Sequence, residues 1–229
     1  MKTFGKYLTF TFILAAIVSC DSQPNLGIFE ANADIGNVKY AGSLDFNKSD
    51  NSYTLSGGGT NMWAEKDDLH YVWKEMSGDV SLAATIEWLG EGLDPHRKAG
   101  LIIRQSLDPG SVYADAVVHG DGLTSLQFRE AQDETTHEII SNITKPERLK
   151  IEKIGDYLFM AVGNKNGDLE SSSGSLRMQF SDPFYIGIGV CSHNNDTIET
   201  AVFTDLILET LELKPDSLIV CIMVSIEIG

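Results

Sequence analysis

Three segments of the sequence carry polar side chains at alternate positions, the spacing with which a strand presents them on one face. In Val112 to His119, Tyr113, Asp115, Val117 and His119 share a face. In Thr124 to Arg129, Leu126 and Phe128 turn one way, and Gln127 and Arg129 the other. In Gly100 to Gln105, apolar residues occupy both faces until Arg104 falls beside Ile102. If these strands are neighbours, Arg104, Asp115, His119, Gln127 and Arg129 line one concave sheet, with Asp121 at its rim. Tyr71 and Trp73 would stand next to that surface. The set suits a polyhydroxylated ligand, because aromatic rings stack on the CH faces of a sugar and guanidinium forks donate to its hydroxyls. Two other readings stay open. The arginines could pair with Asp115 or Glu130 and hold the strands in register, as a scaffold without a small ligand. Alternatively, carboxylates on the concave face could cleave glycosidic bonds.

Signatures of catalysis are scarce. A retaining glycosidase holds two carboxyl groups about 5–5.5 Å apart, yet no Glu-x-Asp-x-x-Glu run occurs, and Glu87 and Glu91 are split by Trp-Leu-Gly. The metalloprotease, serine-hydrolase, phosphate-loop and EF-hand patterns are missing from the sequence. No cofactor or metal is implied. Trp63 and Trp88 read as packing residues, and Trp73 is the better stacking platform. His70 shares a face with Val72 and reads as a buried, hydrogen-bonded histidine. His96 reads as exposed loop, and His193 as a loop cap or a site residue.

Strands must position these residues. Runs such as Ser52 to Ser56, Leu69 to Met76, Val80 to Leu89, Glu147 to Ile154 and Phe184 to Ser192 are separated by Asp108-Pro109-Gly110, Gly120-Asp121-Gly122 and Asp182-Pro183. About a dozen short strands with no helical segments between them predict an all-β, two-sheet antiparallel sandwich. A parallel sheet would need crossover helices for which the chain has no room. Ala131 to Pro146 is expected to be irregular and to cover one end, and Ser171-Ser172-Ser173-Gly174 to be a flexible loop.

The ends carry separate information. Lys2 and Lys6, an apolar run from Tyr7 to Val18, and Ile17-Val18-Ser19-Cys20 have the order of a lipoprotein signal peptide over residues 1–19, with Cys20 taking the lipid. The run falls short of the ~20 residues that cross a membrane. Residues 20–26 read as a tether, 27–214 as the folded domain, and 215–229 as an apolar tail that could be the truncated opening of a further domain. This places the chain in the bacterial cell envelope, on the inner or the outer membrane. Residues 1–19 hold two lysines and no acids, so their removal takes the net charge from -16 to -18. That balance argues against nucleic acid, which is held by basic groups. Cys191 lies in an apolar run and reads as a small buried hydrophobe.

Gly57-Gly58-Gly59-Thr60-Asn61-Met62-Trp63, then Asp68 to Trp73 and Ser77-Gly78-Asp79, form one block. Lys98 to Leu107 is a second, and Tyr185-Ile186-Gly187-Ile188-Gly189-Val190-Cys191-Ser192-His193 a third. Together they resemble the concanavalin A-like jelly rolls grouped with a regulation-of-enolase protein, over roughly Phe29 to Leu208. Val117 to Leu123 with Gln127-Phe128-Arg129 is similar to a subgroup joined to a Tol biopolymer-transport-like β-propeller. The resemblance implies a concanavalin A-like jelly roll and a propeller as a possible partner module. Combined with the polar face, it leads to a membrane-anchored protein that binds a glycan or an envelope protein, with glycoside hydrolysis as the alternative.

Overall fold

The computed structural model describes residues 25–165 and 168–212. The residues read as signal peptide, lipid site and apolar tail lie outside them, as do most of those read as a tether. Sixteen strands and no helix are found among the described residues. In chain order they are β1 (Ala31–Ile35), β2 (Ser43–Asn47), β3 (Ser52–Gly57), β4 (Met62–Trp63), β5 (Lys66–Asp67) and β6 (Leu69–Met76). Then come β7 (Val80–Leu89), β8 (Lys98–Arg104), β9 (Tyr113–His119), β10 (Thr124–Arg129) and β11 (His137–Ile140). Last are β12 (Arg148–Ile154), β13 (Tyr157–Gly163), β14 (Glu170–Arg177), β15 (Phe184–Cys191) and β16 (Glu199–Thr210).

Two seven-stranded antiparallel sheets result, in the orders β1-β6-β15-β8-β9-β10-β11 and β14-β13-β12-β7-β16-β3-β2. This is the expected jelly-roll sandwich. Its main core forms between the sheets, where period-two alternation sends Leu101, Ile103, Ala116 and Leu126 from the first sheet against Leu82, Ile86, Leu149 and Ile151 from the second. Burying each such side chain contributes about 1.5–3 kcal/mol.

The first sheet departs from simple alternation. All positions of β8, β9 and β10 are buried, on both faces. A second, smaller core of Ile35, Met62, Leu69, Tyr71, Ile102 and Tyr113 covers the face turned away from the second sheet. The β4–β5 hairpin supplies its lid. Gly187 and Gly189 of β15 make room for it. A Cβ on Gly189 would sit 2.4 Å from Ile102 Cδ1, and one on Gly187 would sit 1.8 Å from the Val72 carbonyl oxygen.

Two local expectations are corrected. Ser171 to Gly174 is not a loop, because it continues β14 along β13. Ala131 to Pro146 is not wholly irregular, since His137–Ile140 pairs with β10 and extends the first sheet by an edge strand. Cys191 is fully buried, as expected, and burial pushes its thiol up to about 12. His70 is also buried, with Nδ1 2.7 Å from Asp34 Oδ1.

Candidate functional site

The expected neighbourhood of strands is present: β8, β9 and β10 lie side by side. Cross-strand pairs Ile102↔Asp115 and Asp115↔Gln127 continue to Glu138 of β11, and Lys98 pairs with His119. Arg104, Asp115, His119, Gln127 and Arg129 therefore share the outer face of the first sheet. What differs is how much of that face is open.

One end of the face is clamped shut. Asp67, at the end of the β4–β5 hairpin, is fully buried between two arginines that are themselves fully buried. Its Oδ2 accepts from Arg104 Nη1 at 2.7 Å and from Arg129 Nη1 at 2.9 Å, while Oδ1 accepts from Arg129 Nη2 at 2.8 Å. The remaining guanidinium donors go to backbone carbonyls of three loops. Arg104 Nη2 reaches Asp108 O at 2.7 Å, Arg129 Nε reaches Glu134 O at 2.9 Å, and Arg129 Nη2 reaches Ala64 O at 2.9 Å. Both guanidinium groups lie over the Tyr113 ring, at 5.5 and 4.9 Å. Charges so deeply buried persist only when paired and hydrogen-bonded throughout, which these are.

The other end of the face is a cleft of about 210 Å³. Lys98, His119 and Gln127 form its floor, and Glu138 and Leu123 one side. Asn61 and Trp63 of the clamped hairpin also line it, as do His96 and His193. Trp63 is half-buried, and Lys98 Nζ lies 5.4 Å from the centre of its ring. Lys98 is held by Asn61 Oδ1 and Met62 O, both accepting at 2.8 Å. Among the described residues, no group of three His, Cys, Asp or Glu side chains is placed to hold a metal ion.

The floor has hydrogen-bonding capacity left over. Gln127 Nε2 lies 3.3 Å from His119 Nε2 and 3.3 Å from Ser125 Oγ. With the amide so assigned, His119 accepts at Nε2 and carries its proton on Nδ1. Neither His119 Nδ1 nor Gln127 Oε1 has a partner inside the protein. One is then a donor without an acceptor, the other an acceptor without a donor. Both atoms are themselves buried beneath the cleft surface.

Burial governs the titration of this region. It pushes His119 down to about 3, helped by the nearby Lys98 charge, so the imidazole is neutral at ordinary pH. It pushes Asp115 up to about 8 against the opposing charge of Lys98, and it lowers Lys98. Both Asp115 oxygens lack a hydrogen-bond partner. The Gln127 backbone amide lies near enough to favour the carboxylate but outside hydrogen-bonding geometry.

The sequence-predicted residues thus divide. His119 and Gln127 line the cleft. Asp115 is fully buried, with no surface to offer a ligand. Arg104 and Arg129 belong to the clamp, and their partner is Asp67, not Asp115 or Glu130. Tyr71 is fully buried, donating its hydroxyl to Ile102 O at 3.1 Å, and Trp73 stacks on it at 5.5 Å. Asp121 caps the β9–β10 turn by accepting from Leu123 N at 2.9 Å. The reading from sequence passed over Trp63, Asn61, Lys98 and Glu138. Lys98 was detectable, since it alternates with Arg104 on β8. Glu138 was not, because its strand lay in a segment read as irregular.

No protein-family model matches the sequence, and no curated protein matches it either. Among solved structures, the chain is similar to a functionally unknown protein from Saccharomyces cerevisiae, with 14% identity, 75% of this chain and 93% of that one covered, and a TM-score of 0.58. It is also similar to a prokaryotic β-1,3-1,4-glucanase (lichenase) derived from a mouse hindgut metagenome, with 9% identity, 73% and 82% coverage and a TM-score of 0.49. A legume lectin-like domain from Entamoeba histolytica shows 12% identity, 79% and 90% coverage and a TM-score of 0.47. The first likeness is one of fold alone, and the other two are too distant to carry an argument. Nothing in these comparisons supports the enolase-regulation group or the propeller-linked subgroup.

The buried acid and imidazole predict a pH dependence of stability. Asp115 titrates at about 8 in the fold and at about 3.9 when unfolded. The native state therefore keeps a proton the unfolded chain has lost, and stability falls as pH rises through that interval. His119 titrates at about 3 in the fold and about 6.5 unfolded, so its contribution is lost as pH falls from about 6.5. The two oppose each other in mild acid, and only Asp115 of the two acts between about pH 6.5 and 8. Urea denaturation should show a decline there of at most about 1.4 kcal/mol per pH unit. Asp115→Asn should flatten it, and an unchanged slope in the variant would contradict the assignment.

Proposed function

We propose that this chain is a recognition protein whose cleft binds a glycan. The observation that carries the reading is the cleft's combination of a half-buried indole, Trp63, with the polar side chains of Asn61, Lys98, His119, Gln127 and Glu138. A half-buried indole offers a face for the CH groups of a sugar ring. The lining mixes hydrogen-bond donors and acceptors, as the hydroxyls of a sugar require. Lys98 donates two hydrogen bonds, to Asn61 Oδ1 and Met62 O, and keeps a third N–H, and Glu138 adds an acceptor.

Binding without catalysis is favoured over glycoside hydrolysis by the acids. Among the described residues lining the cleft, Glu138 is the one carboxylate. Hydrolysis by an acid and a nucleophile or base needs two flanking the bond, and Asp115 is fully buried.

The context proposed for this binding is the bacterial envelope, with the chain held to a membrane by lipid on Cys20. Membership of the enolase-regulation jelly rolls and a β-propeller partner module belong to the same proposal. The first rests on the sequence blocks around Lys98 to Leu107 and Tyr185 to His193, the second on Val117 to Leu123 with Gln127-Phe128-Arg129.

A glycan array probed with the protein tests the reading. Signal is expected on a restricted set of sugars. Trp63→Ala and Gln127→Ala should each lower it tenfold or more, about 1.4 kcal/mol or above. An array without signal, or variants that bind as well as the parent, would overturn the proposal. The anchor is tested by fractionation: Cys20→Ala should move the chain from membranes to the soluble fraction, and retention on membranes would refute it.

A further inference from the structure

We propose that the glycan taken by the cleft is an acidic sugar, one that carries a uronate carboxylate or a sulfate ester. This inference rests on the glycan reading above and deepens it by naming the substrate class. The chain as a whole repels anions, with 33 acidic against 17 basic residues. The cleft runs against that background.

Lys98 is the first reason. It is 3% exposed, yet among the described residues no carboxylate lies within 4.0 Å of its ammonium. The buried arginines differ, since Arg97 pairs with Glu199, and Arg104 and Arg129 pair with Asp67. Lys153 is also buried without a carboxylate partner, but it belongs to β12 of the second sheet and does not line the cleft. Lys98 donates to two neutral oxygens, Asn61 Oδ1 and Met62 O, which leaves one N–H without a partner among the described residues. A buried cation without a counter-charge is costly, and an anionic substituent on a ligand supplies one. Lys98 Nζ lies 5.4 Å from the centre of the Trp63 ring, a span that one sugar ring covers.

The charge balance around Lys98 is the second reason. On the outer face of the first sheet the buried cations are Lys98, Arg104 and Arg129, and the buried acids are Asp67 and Asp115. The cations are in surplus even with Asp115 ionised. The surplus grows when Asp115 keeps its proton, as burial favours up to about pH 8. Buried charges act over longer distances than hydrated ones, and a cleft with low-dielectric walls focuses their field. The acids around the cleft are placed differently. Glu138 lines it, Asp94 stands 3.2 Å from His193, and Asp121 acts on His119. All three are at least partly exposed, so water and salt screen them.

The test uses the full chain in detergent at neutral pH. Oligomers of glucose, galactose and mannose are set against oligomers of the corresponding uronates, the uronate methyl esters and sulfated galactans. An acidic member should bind tenfold or more tighter than its neutral counterpart, and a methyl ester should fall back to the neutral level. Which acidic member binds identifies the anion as carboxylate or sulfate. Lys98→Met should remove the preference. Glu138→Gln takes one negative charge from the lining and leaves the buried cations alone, so it decides the matter even if the lysine variant does not fold. It should strengthen the acidic member twofold or more and leave the neutral one unchanged. Neutral sugars bound as tightly as acidic ones, methyl esters bound as tightly as uronates, or an acidic member not strengthened by Glu138→Gln would overturn the acidic-sugar assignment while leaving the glycan reading intact. No binding to any member would overturn both.

Discussion

The outer face of the first sheet depends on one buried carboxylate. Asp67 stands between Arg104 and Arg129 with all three side chains out of reach of water. Two cations facing one anion would be prohibitive in an apolar interior. Here the surplus charge is spread over carbonyl oxygens of Asp108, Ser111, Glu134 and Ala64 and over the Tyr113 ring. Such an assembly contributes little net stability compared with a well-packed apolar substitute. What it supplies is position, because each guanidinium fork accepts only a narrow range of acceptor directions.

That positional role links the two halves of the face. The clamped hairpin lays Met62 onto Tyr71, Ile102 and Tyr113, closing the second core. The residue after Met62 is Trp63, which is thereby set as the wall of the cleft, and Asn61 just before it holds Lys98. The clamp and the cleft are two consequences of the same short hairpin. Asp115 sits between them, fully buried and pushed up to about 8, and no hydrogen bond fixes its protonation.

The architecture was readable because alternation and turn residues repeat many times along a β chain, so that single errors average out. Val80 to Leu89 and Leu69 to Met76 were delimited to the residue. Burial on both faces of β8 to β10 could not be read in the same way. A polar residue at an alternate position looks the same whether it faces solvent or a clamping loop, and Arg104 and Arg129 were drawn as ligand contacts for that reason. Their partner Asp67 lies 37 and 62 positions away in sequence, a separation that no local pattern reports. Trp63 was missed because its two-residue strand has no periodicity at all.

Amide hydrogen exchange on Asp67→Asn tests the central claim most directly, since the substitution removes the charge but keeps the shape. The account predicts faster exchange at Asp67, Asp68 and Thr136, whose amides donate to Pro109, Asn61 and Ala64, while β12 and β13 keep their protection. Unchanged exchange at those three amides, or uniform loss across both sheets, would contradict it.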